Sequence, residues 1–161
     1  MGGTSFDVGA VPGGQINVVQ MKVIDGKKFC LPSVDVSTIG AGGGSIAWID
    51  ASGRLQVGPQ SAGASPGPAC YGTGGTDPTV TDADVVLGYI DPDYFLGGET
   101  KLKKDLAEKA IQEKIAGPLK LSVPKAAAAI YDVVNAKMAG AIDVVFSRRG
   151  YDPREFILCA A

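Results

Sequence analysis

The chain has 161 residues, enough for one domain with a modest core, and its 15 basic and 17 acidic residues leave a net charge of −2. That near balance argues against non-specific nucleic-acid binding and against an anionic membrane surface, and no apolar run reaches the roughly 18 residues of a membrane helix. There is no histidine, which excludes Ser-His-Asp and Cys-His catalysis and His-ligated metal within this chain. The three cysteines, Cys30, Cys70 and Cys159, form no CxxC pair, and a reducing, cytoplasmic setting fits them.

In chain order, residues 4–11 and 15–24 are extended and rich in Val and Ile. Pro12-Gly13-Gly14 between them predicts a hairpin. Asp25-Gly26 marks another turn, and residues 34–39 a further strand. SIAWID and RLQVG flank Ala51-Ser52-Gly53 as a second hairpin. Residues 58–79 are almost pure turn chemistry, and composition alone reads as a linker. The aromatic and cysteine of PACYG, bracketed by prolines, favour an ordered loop. Thr81-Asp82-Ala83-Asp84 opens a capped helix. Residues 101–116 carry apolar side chains at helical spacing, closed by Gly117-Pro118. A long helix runs from Ser122 to about Arg149, with Pro124 in its first turn and Arg148, Arg149 and Gly150 at its end. EFILCAA then reads as a buried strand. The order predicts an α/β or α+β layered unit, organised as residues 1–57, a Gly/Pro-rich insertion at 58–100, and 101–161 within one partial domain.

Two glycine stretches carry possible chemistry. Gly2-Gly3-Thr4-Ser5 opens a strand, and the amides of such a turn wrap an anion because no Cβ blocks the approach. Asp7, just beyond, suits a metal-bound water. An ordinary hairpin entry explains the same residues. The second stretch is Gly42-Gly43-Gly44-Ser45, with Asp35, Ser37 and Thr38 before it. A glycine run flanked by hydroxyls between strands suits a nucleotide phosphate, and equally a simple bend.

Together, GGTSFDVGAV and TIGAGGGS resemble the second-half phosphate motif of the actin, heat-shock chaperone and sugar-kinase ATPases. IGAGGGSIAWID, VGPQSAGASPGPACYG, PTVTDADVVLGYIDPDYFLGG and RRGYDPREF resemble phrases of one branch, the hydantoinase A/5-oxoprolinase family with the acetone and acetophenone carboxylases. The PACYG loop argues against a sugar kinase. The resemblance implies half of a ribonuclease H-like (actin-like) ATPase fold, a mixed sheet with hairpins and helices, incomplete here. It implies ATP with Mg²⁺, phosphate contacts from Gly2, Gly3, Thr4 and Ser5, and a cleft lined by Gly42, Gly43, Gly44 and Ser45. Asp7 is the weaker member of the phosphate set, either the metal-side carboxylate or only an orienter of the hairpin, and Asp82 is the choice for a catalytic carboxylate, against a helix-capping role for Asp82 and Asp84. The implied partners are the remainder of the polypeptide or a complementary chain, a hydantoinase B-like subunit and a small-molecule substrate, in an oligomer. The family pattern has Asp before Met-Gly-Gly-Thr and His where Ser37 stands, and continues past a strand like EFILCA. The chain therefore reads as an interior piece, inactive alone, and the alternative reading is a scaffold module that has lost ATP. Cys70 has no neighbouring base and reads as packing, as do Cys30, Cys159 and Trp48. Arg148, Arg149 and Arg154 read as helix-end and surface charges.

Overall fold

The computed structural model describes residues 1–159. It divides into two compact units, one of residues 1–6 and 40–138, the other of residues 7–39 and 139 onward.

In the first unit, β7 (Ser45–Ile49) and β8 (Leu55–Ser61) pair antiparallel, with Ala47 opposite Val57 and Ile49 opposite Leu55. The turn between them forms as expected, because Asp50 Oδ1 accepts from the Ser52 and Arg54 amides at 2.9 and 3.0 Å. These bonds, with those from the Ser52 hydroxyl and Gln56, hold the Asp50 carboxyl well below the usual range. The 58–79 stretch is ordered. Its Ala69–Tyr71 turn of 3₁₀ helix buries Ala69 and Cys70 completely or nearly so.

Helix α1 (Val80–Leu87) begins one residue earlier than its sequence signal. Thr79 is the N-cap, and Thr79 and Asp82 form a reciprocal capping box. Helix α2 (Lys104–Ile111) does not stop at Gly117-Pro118. It passes through a π segment, Gln112–Ala116, into the last turn α3 (Gly117–Leu119), and Lys120 at φ 55 ends it. Pro118 stands in that final turn, where it donates no hydrogen bond to the preceding segment. Helix α4 (Val123–Ser147) matches its predicted span within two residues. The unit's core is built from Val57, Val80, Val85, Ile111, Ile115, Ile130 and Val134, all at most 2 % exposed. Each such side chain contributes on the order of 1.5–3 kcal/mol by leaving water. Lys114 pairs with Asp77 at 2.6 Å, but both side chains are about half exposed. Lys114→Ala is therefore expected to move the urea-unfolding free energy by less than about 1 kcal/mol. A larger loss would show that the π segment depends on that pair.

The second unit corrects the first predicted hairpin. Residues 4–11 do not pair with 15–24. Instead β1 (Phe6–Gly9) pairs with β6 (Val36–Ile39), β2 (Val18–Val19) with β5 (Ser33–Val34), and β3 (Lys22–Ile24) with β4 (Lys27–Phe29). The three pairs nest around Asp25-Gly26, where both residues have positive φ (50 and 72). A two-residue turn of that hand matches strand twist. Pro12–Gly14 forms a 3₁₀ turn. Arg149 donates to Asp35 through Nε at 2.9 Å and through a second, shorter bond from Nη2. Its role is thus more than helix-end charge. EFILCAA is also not a strand over its described part. Pro153–Glu155 is a 3₁₀ turn, Ile157 and Leu158 are 92 % and 77 % exposed, and Ala160 and Ala161 lie outside the described residues. Cys30 and Cys159, expected in the core, are exposed, because neither sits in a strand with a covered face.

Candidate functional site: a glycine clasp and its cavity

Both glycine stretches meet in the first unit, and they meet backbone to backbone. Gly43 N–H donates to Gly2 O at 2.9 Å and Gly44 N–H to Gly3 O at 2.7 Å. A Cβ on Gly42 would lie 2.5 Å from Thr4 N and 2.6 Å from Gly3 C. The absence of a side chain at Gly42 is what lets the two loops touch. Gly44 is similarly confined, its Cβ 2.9 Å from Ser61 Oγ and 3.0 Å from Gly3 O. The remaining amides of the run are also spent internally: Gly42 N–H on Ser45 Oγ at 2.9 Å and Ser45 N–H on Gly42 O at 3.0 Å. Ser45 itself is 1 % exposed.

Helix α1 anchors this clasp. Thr81 donates twice to Gly43 O, from its amide at 2.8 Å and from Oγ1 at 2.9 Å. One residue on, Asp82 is fully buried. Its Oδ2 accepts from Thr79 N–H (2.9 Å), the Thr79 hydroxyl (2.8 Å) and Ala69 N–H (3.2 Å), and its Oδ1 from Cys70 N–H (2.7 Å). Asp82 presents no surface to solvent. Asp84 is different: its Oδ1 is buried with no hydrogen-bond partner among the described residues. Burial raises its carboxyl to about 6.

Over the clasp lies a cavity of about 200 Å³. Gly3, Thr4, Gly44 and Thr81 line it together with Gly63, Ala64, Pro68 and Tyr71. No charged side chain lines it. Gly2 N–H is used by Ser5 O at 2.9 Å, whereas the exposed Gly3 and Thr4 amides have no acceptor among the described residues. These two consecutive amides belong to residues that line the cavity, and they are donors an anionic oxygen could use. Tyr71, also in the lining, packs on Phe95 with ring centroids 5.7 Å apart, and burial pushes its hydroxyl pKa up. Cys70, behind it, is buried with Val85, Leu102 and Ala107. Burial, then the Asp82 carboxylate, pushes its thiol far up, which leaves it a packing residue and no nucleophile.

Asp7 and Asp35 belong to the second unit. Asp7 accepts from the Thr38 hydroxyl at 2.5 Å, and Asp35 is held by Arg149. Among the described residues no three His, Cys, Asp or Glu side chains gather as a metal site. Sequence reading took Thr81 only as a helix start and Tyr71 only as the mark of an ordered loop, and named neither as a site residue; Thr81 reaches the glycine run across 38 residues, which no local pattern encodes.

The hydantoinase/oxoprolinase family profile matches residues 1–161, and the chain belongs to that family. It is 50 % identical over its whole length to the caprolactamase alpha subunit of Pseudomonas jessenii and 52 % identical, over 99 % of its length, to the acetophenone carboxylase gamma subunit of Aromatoleum aromaticum. These matches cover 23 % and 22 % of those relatives, so the chain spans less than a quarter of their length. The structure is similar to that of an acetone carboxylase, solved nucleotide-free and described as acting by ATP-dependent carboxylation. The TM-score is 0.88 at 35 % identity, over 97 % of this chain and 22 % of that one. The mixed α/β architecture with small antiparallel sheets is therefore shared with the corresponding part of that enzyme. No helix among the described residues is long and apolar enough to cross a membrane.

Proposed function

We propose that this chain supplies the phosphate-binding wall of an ATP cleft in an ATP-dependent hydrolase or carboxylase of the hydantoinase/oxoprolinase type. The observation that carries this is the pair of Gly3 and Thr4 amides, without protein acceptors, at the edge of a cavity whose floor is a glycine clasp. The ATP dependence of the similar acetone carboxylase supports the choice of anion. The two glycine stretches then divide the labour. Gly2, Gly3, Thr4 and Ser5 face the phosphate, and Gly42, Gly43, Gly44 and Ser45 hold them in place from behind, because their own amides are already spent. The metal-side reading of Asp7 rests on the sequence resemblance alone, since Asp7 lies in the second unit, where it accepts from Thr38. Bound ATP supplies the activated phosphoryl group; this chain's part is to bind and orient it. The fold family implied is the actin-like, ribonuclease H-like one.

The partner reading rests on the second unit's ribbon, where Met21, Val23, Ile24, Phe29 and Leu31 are all at least 44 % exposed. Such a surface in water marks an interface. The remainder of a longer polypeptide, or a hydantoinase B-like subunit, would cover it, in a cytoplasmic oligomer acting on a small carbonyl compound. That two relatives are alpha and gamma subunits of their enzymes accords with this. The opposing reading, a scaffold without nucleotide, draws on the same spent amides of Gly42–Ser45.

Mg-ATP calorimetry on the chain, alone and with the rest of a family subunit added, tests the proposal. A Cβ on Gly3 meets nothing within 4 Å, and Gly3 has no positive φ. Gly3→Val should therefore keep the melting temperature while weakening Mg-ATP by about tenfold or more, the value of roughly one charge-assisted hydrogen bond. Absence of binding in both settings, with the protein folded, moves the scaffold reading ahead.

A further inference from the structure

We infer that Asp82 is the positioning residue of the cavity, a buried latch that fixes the Pro68–Tyr71 wall against the end of helix α1. A capping box needs one carboxylate contact, from the side chain of the third helical residue to the N-cap amide. Asp82 makes that contact to Thr79 at 2.9 Å. It then makes two more that no helix cap requires, to Ala69 N–H at 3.2 Å and Cys70 N–H at 2.7 Å. Those amides belong to the turn whose ends are Pro68 and Tyr71, and both of those line the cavity. The other side of Cys70 is also tied, since its carbonyl accepts from Lys103 N–H at 2.7 Å. Adjacent on the helix, Thr81 holds Gly43 and through it the Gly2–Gly3 backbone. One turn of one helix therefore sets both walls. Asp82 holds the aromatic wall and Thr81 the amide wall.

The residue type follows from the donors. Three backbone amides, which can only donate, fall on both oxygens of this side chain, so both must accept, as carboxylate oxygens do. An asparagine in its place turns an NH₂ toward amide N–H groups in either orientation. This inference names how the site proposed above is shaped, so its value for nucleotide binding rests on that reading; the latch itself does not.

The first test uses the unmodified 161-residue chain. Native-state amide exchange should give Ala69, Cys70 and Thr79 N–H matching protection, within about tenfold of each other, since all three open only when one carboxylate lets go. Ala69 and Cys70 exchanging orders of magnitude faster than Thr79 would overturn the latch. The second test compares two variants under conditions where both remain folded. Asp82→Asn should raise the labelling rate of the buried Cys70 thiol by a disulfide reagent about tenfold or more, as the wall opens locally. Thr79→Ala, which removes the cap hydroxyl and spares the Ala69 and Cys70 bonds, should lower the melting temperature and leave that labelling slow. Equal labelling in the two variants would sink the assignment. Pyrophosphate is the ligand probe: it should bind Asp82→Asn more weakly than the unmodified chain. If it binds neither, the phosphate reading fails while the exchange and labelling results still decide the latch.

Discussion

Gly42→Ala is expected to destabilise the chain by about 2–3 kcal/mol, because the added methyl group meets backbone that cannot rotate away. The added carbon would sit 2.5 Å from Thr4 N, 2.6 Å from Gly3 C and 2.7 Å from Gly3 O. All three are backbone atoms, so no side chain can rotate away. Either the clash is borne, at roughly 1–3 kcal/mol for overpacking, or the loops separate. Separation loses the bonds from Gly43 to Gly2 and from Gly44 to Gly3, each worth about 1 kcal/mol. It also leaves the Gly3 and Thr4 amides without a fixed frame. Urea unfolding measures the first consequence and Mg-ATP titration the second. Gly3→Val is the control, since it is expected to keep stability and lose affinity. A Gly42→Ala protein within about 0.5 kcal/mol of the parent would show that the clasp yields easily, and the division of labour between the two loops would fall with it.

The second large effect is pH-linked and belongs to Asp84. Its carboxyl is raised from 3.8 to about 6 by burial, and its Oδ1 has no partner among the described residues. A raised folded-state value means that the neutral form is the one the fold prefers. The stability it contributes is complete below about pH 4 and is lost as pH rises through about 6. A shift of about two units corresponds to about 3 kcal/mol in full enclosure, and partial exposure of this side chain reduces that to about 1–2 kcal/mol. Asp84→Asn is nearly isosteric with the protonated acid. It should match the parent at about pH 4 and exceed its stability by about 1–2 kcal/mol at about pH 8. Taking the difference between the two proteins cancels the opposite trend of Asp152, whose carboxyl is lowered chiefly by the Arg154 side chain. A difference that stays flat across that range would mean that Asp84 finds a partner or water when charged.

Much of this protein is written locally. The turn at Ala51-Ser52-Gly53 closes on itself because Asp50 reaches amides two and four residues ahead. The span of α4 follows from a run rich in Ala, Val and Ile, with proline in its first turn and glycine just past its end. Phrases such as IGAGGGSIAWID and GPACYG carried the family, because each is a long string of residues with special backbone demands. Separation along the chain explains the rest. Three nested ribbon pairs outcompete a Pro12-Gly14 hairpin only once Ser33–Ile39 is brought back, which no window around residue 12 contains. Arg149 finds Asp35 across 114 residues. The glycine run looked from its composition like a surface for phosphate. Only the fold places Gly3 and Thr4 against it, and so makes it a joint between backbones. Asp82 could be read locally as a helix cap, and that much is present. Its bonds to Ala69 and Cys70 exist because packing of α1 and α2 around Cys70 brings that turn within reach, a contact that hydrophobic burial decides and no local pattern encodes.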